Sequence, residues 1–462
     1  MSRRLLIFIT IIVSVGLWAF RSPAVSVTNA TLALATLWVC LLPTVTYLQS
    51  SDRSPMPFLQ LSCGYYAVFF AISVFFFPTP RPLPMYGRQI AALSIEAQVI
   101  VLLGIMLMIL AYFSVDKILS EKRIHIRLPK SYDPTRLRIL LWMLIVVFLG
   151  WYLFPELRKI SSVNQFIQPA GPLAIAMMIV LWRKRLLSKY ESILSLAIIL
   201  PIIILLGFLS GLLTGGVLLC AFLAVILFYT GFRKFWVVGL APALIVITIY
   251  PGVAGYRAFV WDNQSEQLDV IQRVKAFSSA THEAWTREED FFKVTALEPL
   301  IHRLSGHVLM TKVVDRTPYA IPYWSGETYG TILTNLVPRV VWPNKPKERW
   351  GQAFAHRYEL ISPRDTITSI NIPWVVEMYA NFGRAGVLVG MTIVGAFLAL
   401  LSAIFNRSTM TPLEFVVGAA IIFPLVYPAS NFTLMTGTMA QLTLALWLYF
   451  RFGLTIGAHK NK

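Results

Sequence analysis

The sequence predicts an all-α polytopic membrane protein of about 12 transmembrane helices with one large extracytoplasmic loop subdomain. Three observations lead there. Hydrophobic residues make up 57% of the 462 residues and charged residues only 13%, roughly half the charged share of a soluble domain. Apolar runs of the length that crosses a bilayer as a helix recur from end to end. The Lys/Arg excess behind a net charge of +18 alternates between successive connectors, as positive-inside topology requires. Together these exclude a soluble enzyme, a disordered scaffold and a secreted disulfide module.

The apolar spans fall near residues 5–20, 30–48, 58–77, 90–114, 139–154, 167–182, 192–206, 212–230, 236–255, 375–405, 412–428 and 431–450. An even number of spans puts both termini on one side. With the N-terminus inside, the inside segments hold 20 Lys and Arg residues, seven of them within 117–138. Apart from the one long loop, the outside segments hold only Arg21, Arg81, Arg88, Arg158 and Lys159. The positive charge is therefore a topology signal, and nucleic acid is not an expected partner. The first run follows Arg3 and Arg4 like a signal peptide, but the alternation of charge needs it as a span. The expected arrangement is multi-pass, with N- and C-termini cytoplasmic. Cys40, Cys63 and Cys220 all fall inside apolar spans, and no Cys or His spacing suggests a metal site.

Three regions follow: an N-terminal membrane bundle over 1–255 with about nine spans, an extracytoplasmic loop subdomain over 256–374, and a C-terminal membrane bundle over 375–462 with three spans. Segment 256–384 is nearly neutral, with 15 basic and 14 acidic residues, and it carries His282, His302, His307 and His356. Leu268, Ile271, Val274 and Phe277 predict a helix that Asp262 or Ser265 caps; Leu297, Ile301, Leu304 and Val308 predict a second that ends before Pro318. From 318 to 374 repeated prolines predict irregular backbone rich in Tyr and Trp.

Two clusters carry chemistry. Pro338-Arg339-Val-Val-Trp342-Pro343-Asn-Lys345-Pro346 presents a guanidinium and an ammonium on a stiff path. That arrangement suits a phosphate or pyrophosphate; the competing reading is an interfacial loop whose cations meet lipid headgroups. At the mouth of the tenth span, Glu377, Asn381 and Arg384 are spaced i, i+4 and i+7, which places them on one face of a continuous helix. Here the competing reading is a polar stripe that seats the helix end.

Read in order, Pro-Arg-x-x-Trp-Pro-x-Lys-Pro, then Gly351-x-x-Phe354-Ala355-x-x-Tyr358, then Glu377-x-Tyr379-x-Asn381-Phe-Gly383-x-x-Gly386 resembles the bacterial oligosaccharide repeat-unit polymerases, the O-antigen polymerase (Wzy-type) family. The matching text covers about residues 326–390. The resemblance implies a membrane glycosyltransferase that polymerises undecaprenyl-pyrophosphate-linked repeat units into O-antigen or exopolysaccharide chains at the outer face of the cytoplasmic membrane. Some members carry an Arg-x10-Gly pattern; the Arg339–Gly351 and Arg316–Gly326 spacings differ from it, so it is not carried over.

Such a transfer must stabilise a pyrophosphate leaving group. The loop lacks an Asp-x-Asp pair to hold Mg²⁺, so Arg339, Lys345 and Arg303 are the expected charge carriers and no metal or other cofactor is expected. The acceptor hydroxyl needs a base: Glu377, His356 and Glu327 are the candidates, with His307 behind them. Trp342, Tyr379, Asn381 and Arg384 complete the expected substrate contacts. Implied partners are the lipid-linked glycan, membrane lipid, a chain-length regulator and a flippase. A ligase-like glycan transferase and a transporter or flippase for the lipid-linked oligosaccharide remain the alternatives.

Overall fold

The computed structural model describes residues 3–49, 56–77, 92–121, 133–154, 167, 170–209, 213–232, 244, 248–249, 252–253, 255–257, 259–260, 269–286, 304–337, 342, 344–345, 348–366, 368–406, 412–425 and 430–453. Every extended element among them is helical, and none is a strand. In chain order these are α1 (Arg3–Ala19), α2 (Val27–Gln49), α3 (Phe58–Phe76), α4 (Ile95–Glu121), α5 (Pro134–Leu153), α6 (Ala170–Arg183), α7 (Lys189–Phe208) and α8 (Leu213–Tyr229). They continue as α9 (Val270–Thr286), α10 (Gly306–Arg316), α11 (Ile332–Leu336), α12 (Trp350–Arg357), α13 (Trp374–Phe405), α14 (Pro412–Leu425) and α15 (Phe432–Gly453).

Among the described residues six helices are long and apolar enough to cross a membrane: α3, α4, α5, α7, α13 and the Val27–Tyr47 stretch of α2. Helices α1, α6, α8, α14 and α15 occupy five more of the expected spans, while most of 236–255 lies outside the described residues. The described residues are thus all helical in their regular elements, with several helices suited to crossing a membrane.

The fold separates into two compact units. The first comprises Met1–Ile126, Ile301–Thr409 and Pro424–Ala440. Its centre is the pair α4 and α13, with Ile105, Met108, Val387, Met391 and Leu398 fully buried between them. Gly395 makes this closeness possible: a Cβ there would collide with the Met108 carbonyl oxygen. Small residues at a crossing let membrane helices approach through van der Waals contact, because lipid supplies no hydrophobic drive between them. Two polar ties add direction: the Tyr112 hydroxyl donates to Ser402 Oγ at 2.9 Å, and Asn406 both donates to and accepts from the Met56 backbone. Helix α3 passes through a π-turn at Ala67–Ala71, against which Gly306 of α10 packs.

The second unit comprises Arg127–Leu300, Met410–Phe423 and Gln441–Lys462. Asp133 caps α5 by accepting from the Thr135 amide, and Ser188 and Glu191 cap each other's backbone at the start of α7. Glu191 also pairs with Arg138 at 2.9 Å and accepts from the Trp142 indole. In α9 the cap is Asp269, reciprocally bonded with Gln272. The expected caps Asp262 and Ser265 lie outside the described residues. Of the predicted apolar stripe Leu268 lies outside the described residues, Phe277 is buried, and Ile271 is 65% exposed.

Two other sequence expectations need adjustment. Helix α10 begins at Gly306, so Val308 lies inside it while Leu297 and Ile301 are outside the described residues. The segment 318–374 is less irregular than its prolines suggest, since a 3₁₀ turn at Glu327–Tyr329, α11 and α12 fit between them. Each is short enough to start and stop between prolines.

Candidate functional site

Helix α13 is broken. Gly383 has φ 63° and ψ −148°, a backbone state open in practice only to glycine. Just before the break, the carbonyls of Ala380 and Asn381 accept from outside the helix, from the amides of Trp324 at 2.9 Å and Ser325 at 3.1 Å. The turn 324–328 is thereby laid along the first half of α13. The Tyr323 hydroxyl covers Gly383 so closely that a Cβ would meet it.

Asn381 fixes this junction. Its side-chain oxygen accepts from the Gly326 amide at 3.0 Å, and its Nδ2 donates to Thr328 Oγ1 at 2.9 Å and to the Glu377 carbonyl at 2.8 Å. Both N–H groups and the oxygen of this buried amide are engaged, three of its four possible bonds. One turn earlier lies the Glu377 side chain, 0% exposed. Its Oε2 accepts from the Phe432 amide at 2.8 Å, at the positive end of α15, which favours a carboxylate. The Thr328 hydroxyl stands beside the same carboxyl, yet among the described residues Oε1 has no donor in hydrogen-bonding geometry.

The start of α15 collects a second acid. Asn431 caps the helix by accepting from the Leu434 amide at 2.8 Å, while its Nδ2 donates to Glu348 Oε1 at 2.7 Å. Asn335 donates to Glu348 Oε2 at 2.5 Å. Burial raises the Glu348 pKa above the usual carboxylate value, opposed by these two amides and by nearby Lys345. Thr433 donates to the Thr328 carbonyl at 2.6 Å. Aromatic rings close the cluster: Trp374 stacks on Phe432 at 5.0 Å, and Tyr329 lies against both Phe382 and Phe432. Burial, then the neighbouring Glu377 carboxylate, pushes the Tyr329 pKa up.

The sequence-derived residues divide among several places. Glu377 and Asn381 meet in the cluster just described. Arg384 does not share their face, because the break at Gly383 intervenes; it points to Glu96 at 2.8 Å with a side chain 69% exposed. That correction to the i, i+7 reading follows from one residue's φ. Tyr379 is buried, two residues from Glu377 and hence on another face, near Tyr323, Arg384 and Glu96. Glu327 is exposed on the 3₁₀ turn whose next residue, Thr328, points inward. His356 is half-buried in the last turn of α12. Lys345 is buried and donates to the Val337 carbonyl at 3.1 Å, while Trp342 is exposed. Arg339 and Arg303 lie outside the described residues.

His307 is buried with its Nδ1 2.9 Å from Ser73 Oγ, and burial lowers its pKa to about 3. A neutral imidazole bonded to Ser73 ties α10 to α3. Sequence reading passed over Glu348, Thr328, Trp374 and Asn431. For Asn431 a signal existed, Ser430-Asn431 ahead of an apolar run, which is a helix-start pattern. For Glu348, amid Lys-rich text, there was none.

No curated protein and no solved structure matches the chain. A family described as a domain of unknown function, DUF8712, matches residues 68–432, a stretch that begins inside α3 and ends on the Phe432 amide that holds Glu377. That match spans most of the 462 residues, and the chain belongs to the DUF8712 family.

Proposed function

We propose that this protein is a membrane glycosyltransferase that polymerises undecaprenyl-pyrophosphate-linked oligosaccharide repeat units into O-antigen or exopolysaccharide chains. It would work at the outer face of the bacterial cytoplasmic membrane, with N- and C-termini cytoplasmic. One observation carries the reading: Glu377 is held through Oε2 by the Phe432 amide, while Oε1 has no donor among the described residues. A carboxylate so oriented is suited to act as a base, and it sits in the motif through which the sequence resembles the repeat-unit polymerases.

In the proposed reaction the acceptor sugar hydroxyl gives its proton to Glu377 Oε1. Its oxygen attacks the anomeric carbon of the donor glycan, and the bond from that carbon to the undecaprenyl pyrophosphate oxygen breaks. Both electrons of that bond leave with the pyrophosphate. Arg339, Lys345 and Arg303 are assigned to the leaving group's charge. A ligase-like transfer would use the same steps with a different acceptor.

The broken α13 favours a second reading. Transporters place substrate sites at discontinuous membrane helices whose ends face the ligand, and Gly383 divides α13 next to a buried acid. On that reading the protein moves the lipid-linked glycan and forms no bond.

Glu377→Gln separates the two. It preserves size and the bond to Phe432 but removes the base. Loss of long glycan chains, with single repeat units still delivered to the outer face and normal protein abundance, supports the transferase. Long chains at near-normal levels would refute it.

A further inference from the structure

Two polar atoms on the first turn of α13 stand out. Among the described residues, Trp374, 1% exposed, has no acceptor for its Nε1 hydrogen, and Glu377, 0% exposed, has no donor to its Oε1. One is a pure donor and the other, as carboxylate, a pure acceptor. They are three residues apart, so they share a helix face. Both also pack on Phe432, Trp374 through its ring and Glu377 through the Phe432 amide. Leaving both groups buried and unmet would carry the desolvation penalty of each. Direct pairing is not made, although the chemistry of the two atoms is complementary.

We propose that Trp374 Nε1 and Glu377 Oε1 together form a binding site for a single hydroxyl group. The indole N–H donates to the hydroxyl oxygen, and the hydroxyl donates to Oε1. A group that is donor and acceptor at once satisfies both atoms; a cation would satisfy only the carboxylate and an anion only the indole. The Asn381 amide and the Phe432 amide are committed, to Thr328 Oγ1, the Glu377 carbonyl and Oε2, and the Thr328 hydroxyl stands beside the carboxyl without reaching Oε1 in hydrogen-bonding geometry, which leaves this pair as the open end of the network. Two sources carry that chemistry, a water molecule and a sugar hydroxyl. The second rests on the transferase reading, where it identifies Trp374 as the residue that holds the acceptor oxygen while Glu377 takes its proton.

The test uses the purified full chain in lipid nanodiscs and infrared spectra recorded in H₂¹⁶O and H₂¹⁸O. Trp374→Phe keeps the ring that stacks on Phe432 and deletes only the N–H; Glu377→Gln replaces the carboxylate. The expected result is an oxygen-isotope-sensitive O–H stretch in the wild type that is absent from both variants at unchanged melting temperature. No such band, or a band that survives Trp374→Phe, overturns the site. Lipid-linked repeat units extracted from the cells that make the glycan then distinguish the sources. Disappearance of the band on adding them supports a sugar hydroxyl in place of water. Persistence of the band keeps the site as one for water and counts against the transferase reading, so the two failures are separable.

Discussion

The Phe432 amide donates to the Glu377 carboxylate over 2.8 Å, joining the first turn of α15 to the first turn of α13. This bond makes a buried acid tolerable, since a carboxylate at membrane depth is costly without a partner. It also orients the acid by fixing one of its two oxygens. The Asn431 cap and Glu348 behind it hold the donating helix end in place.

The topology can be tested directly. The 20 Lys and Arg residues assigned to one face predict that 115–138 is inside and 256–374 outside. A cysteine introduced at Ser279 should react with a membrane-impermeant maleimide in intact cells, and one at Ser131 should not. Cys40, Cys63 and Cys220 are buried and free, so they give little background. Reversed labelling would remove the outward-facing site.

Arg339 separates pyrophosphate binding from headgroup anchoring. A guanidinium grips a phosphate with two parallel bonds, which an ammonium cannot reproduce, whereas both side chains reach headgroups equally well. Arg339→Lys should abolish long glycan chains while membrane abundance stays normal. Chains of near-normal length, read on a gel, would make Arg339 an anchor.

Gly383→Ala tests the break in α13. The backbone state at φ 63° costs a non-glycine residue about 1–3 kcal/mol, and the added methyl meets the Tyr323 hydroxyl. The variant should melt at a lower temperature, and adding Tyr323→Ala should recover only the steric part. An unchanged melting temperature would mean that α13 runs on without the break.

Glu348 predicts a pH dependence of stability. Burial raises its folded pKa above the ordinary 4.5, so the folded protein keeps a proton that the unfolded chain has lost. Its contribution is therefore complete below 4.5 and is lost as pH rises through the folded value. Glu348→Gln cannot titrate, so its melting temperature should fall less than the wild type's as pH rises from 4.5. Parallel slopes would contradict the burial of this group.

Much of the molecule was legible in the sequence. The long apolar runs gave the membrane helices, because hydropathy and span length are properties of a contiguous segment. Glu377 and Asn381 could be paired at i, i+4 because they lie in one unbroken turn. Arg384 was misplaced because the periodicity argument assumes helical φ/ψ at every step, and one glycine departed from it.

The sequence by itself determined that the chain is helical with segments apolar and long enough to cross a membrane, and that Glu377 and Asn381 are neighbours. Only the tertiary structure decided that Glu377 would meet Phe432, that Glu348 would lie behind the cap of the same helix, and that Arg384 would turn to Glu96. The reason is physical. Helix formation and membrane insertion depend on local hydrogen bonds and on the transfer of a segment from water, so they can be read from successive residues. The partner of a buried polar group depends on which distant backbone amide or side chain arrives beside it, and that is set by close packing such as Gly395 on Met108, which no local pattern encodes.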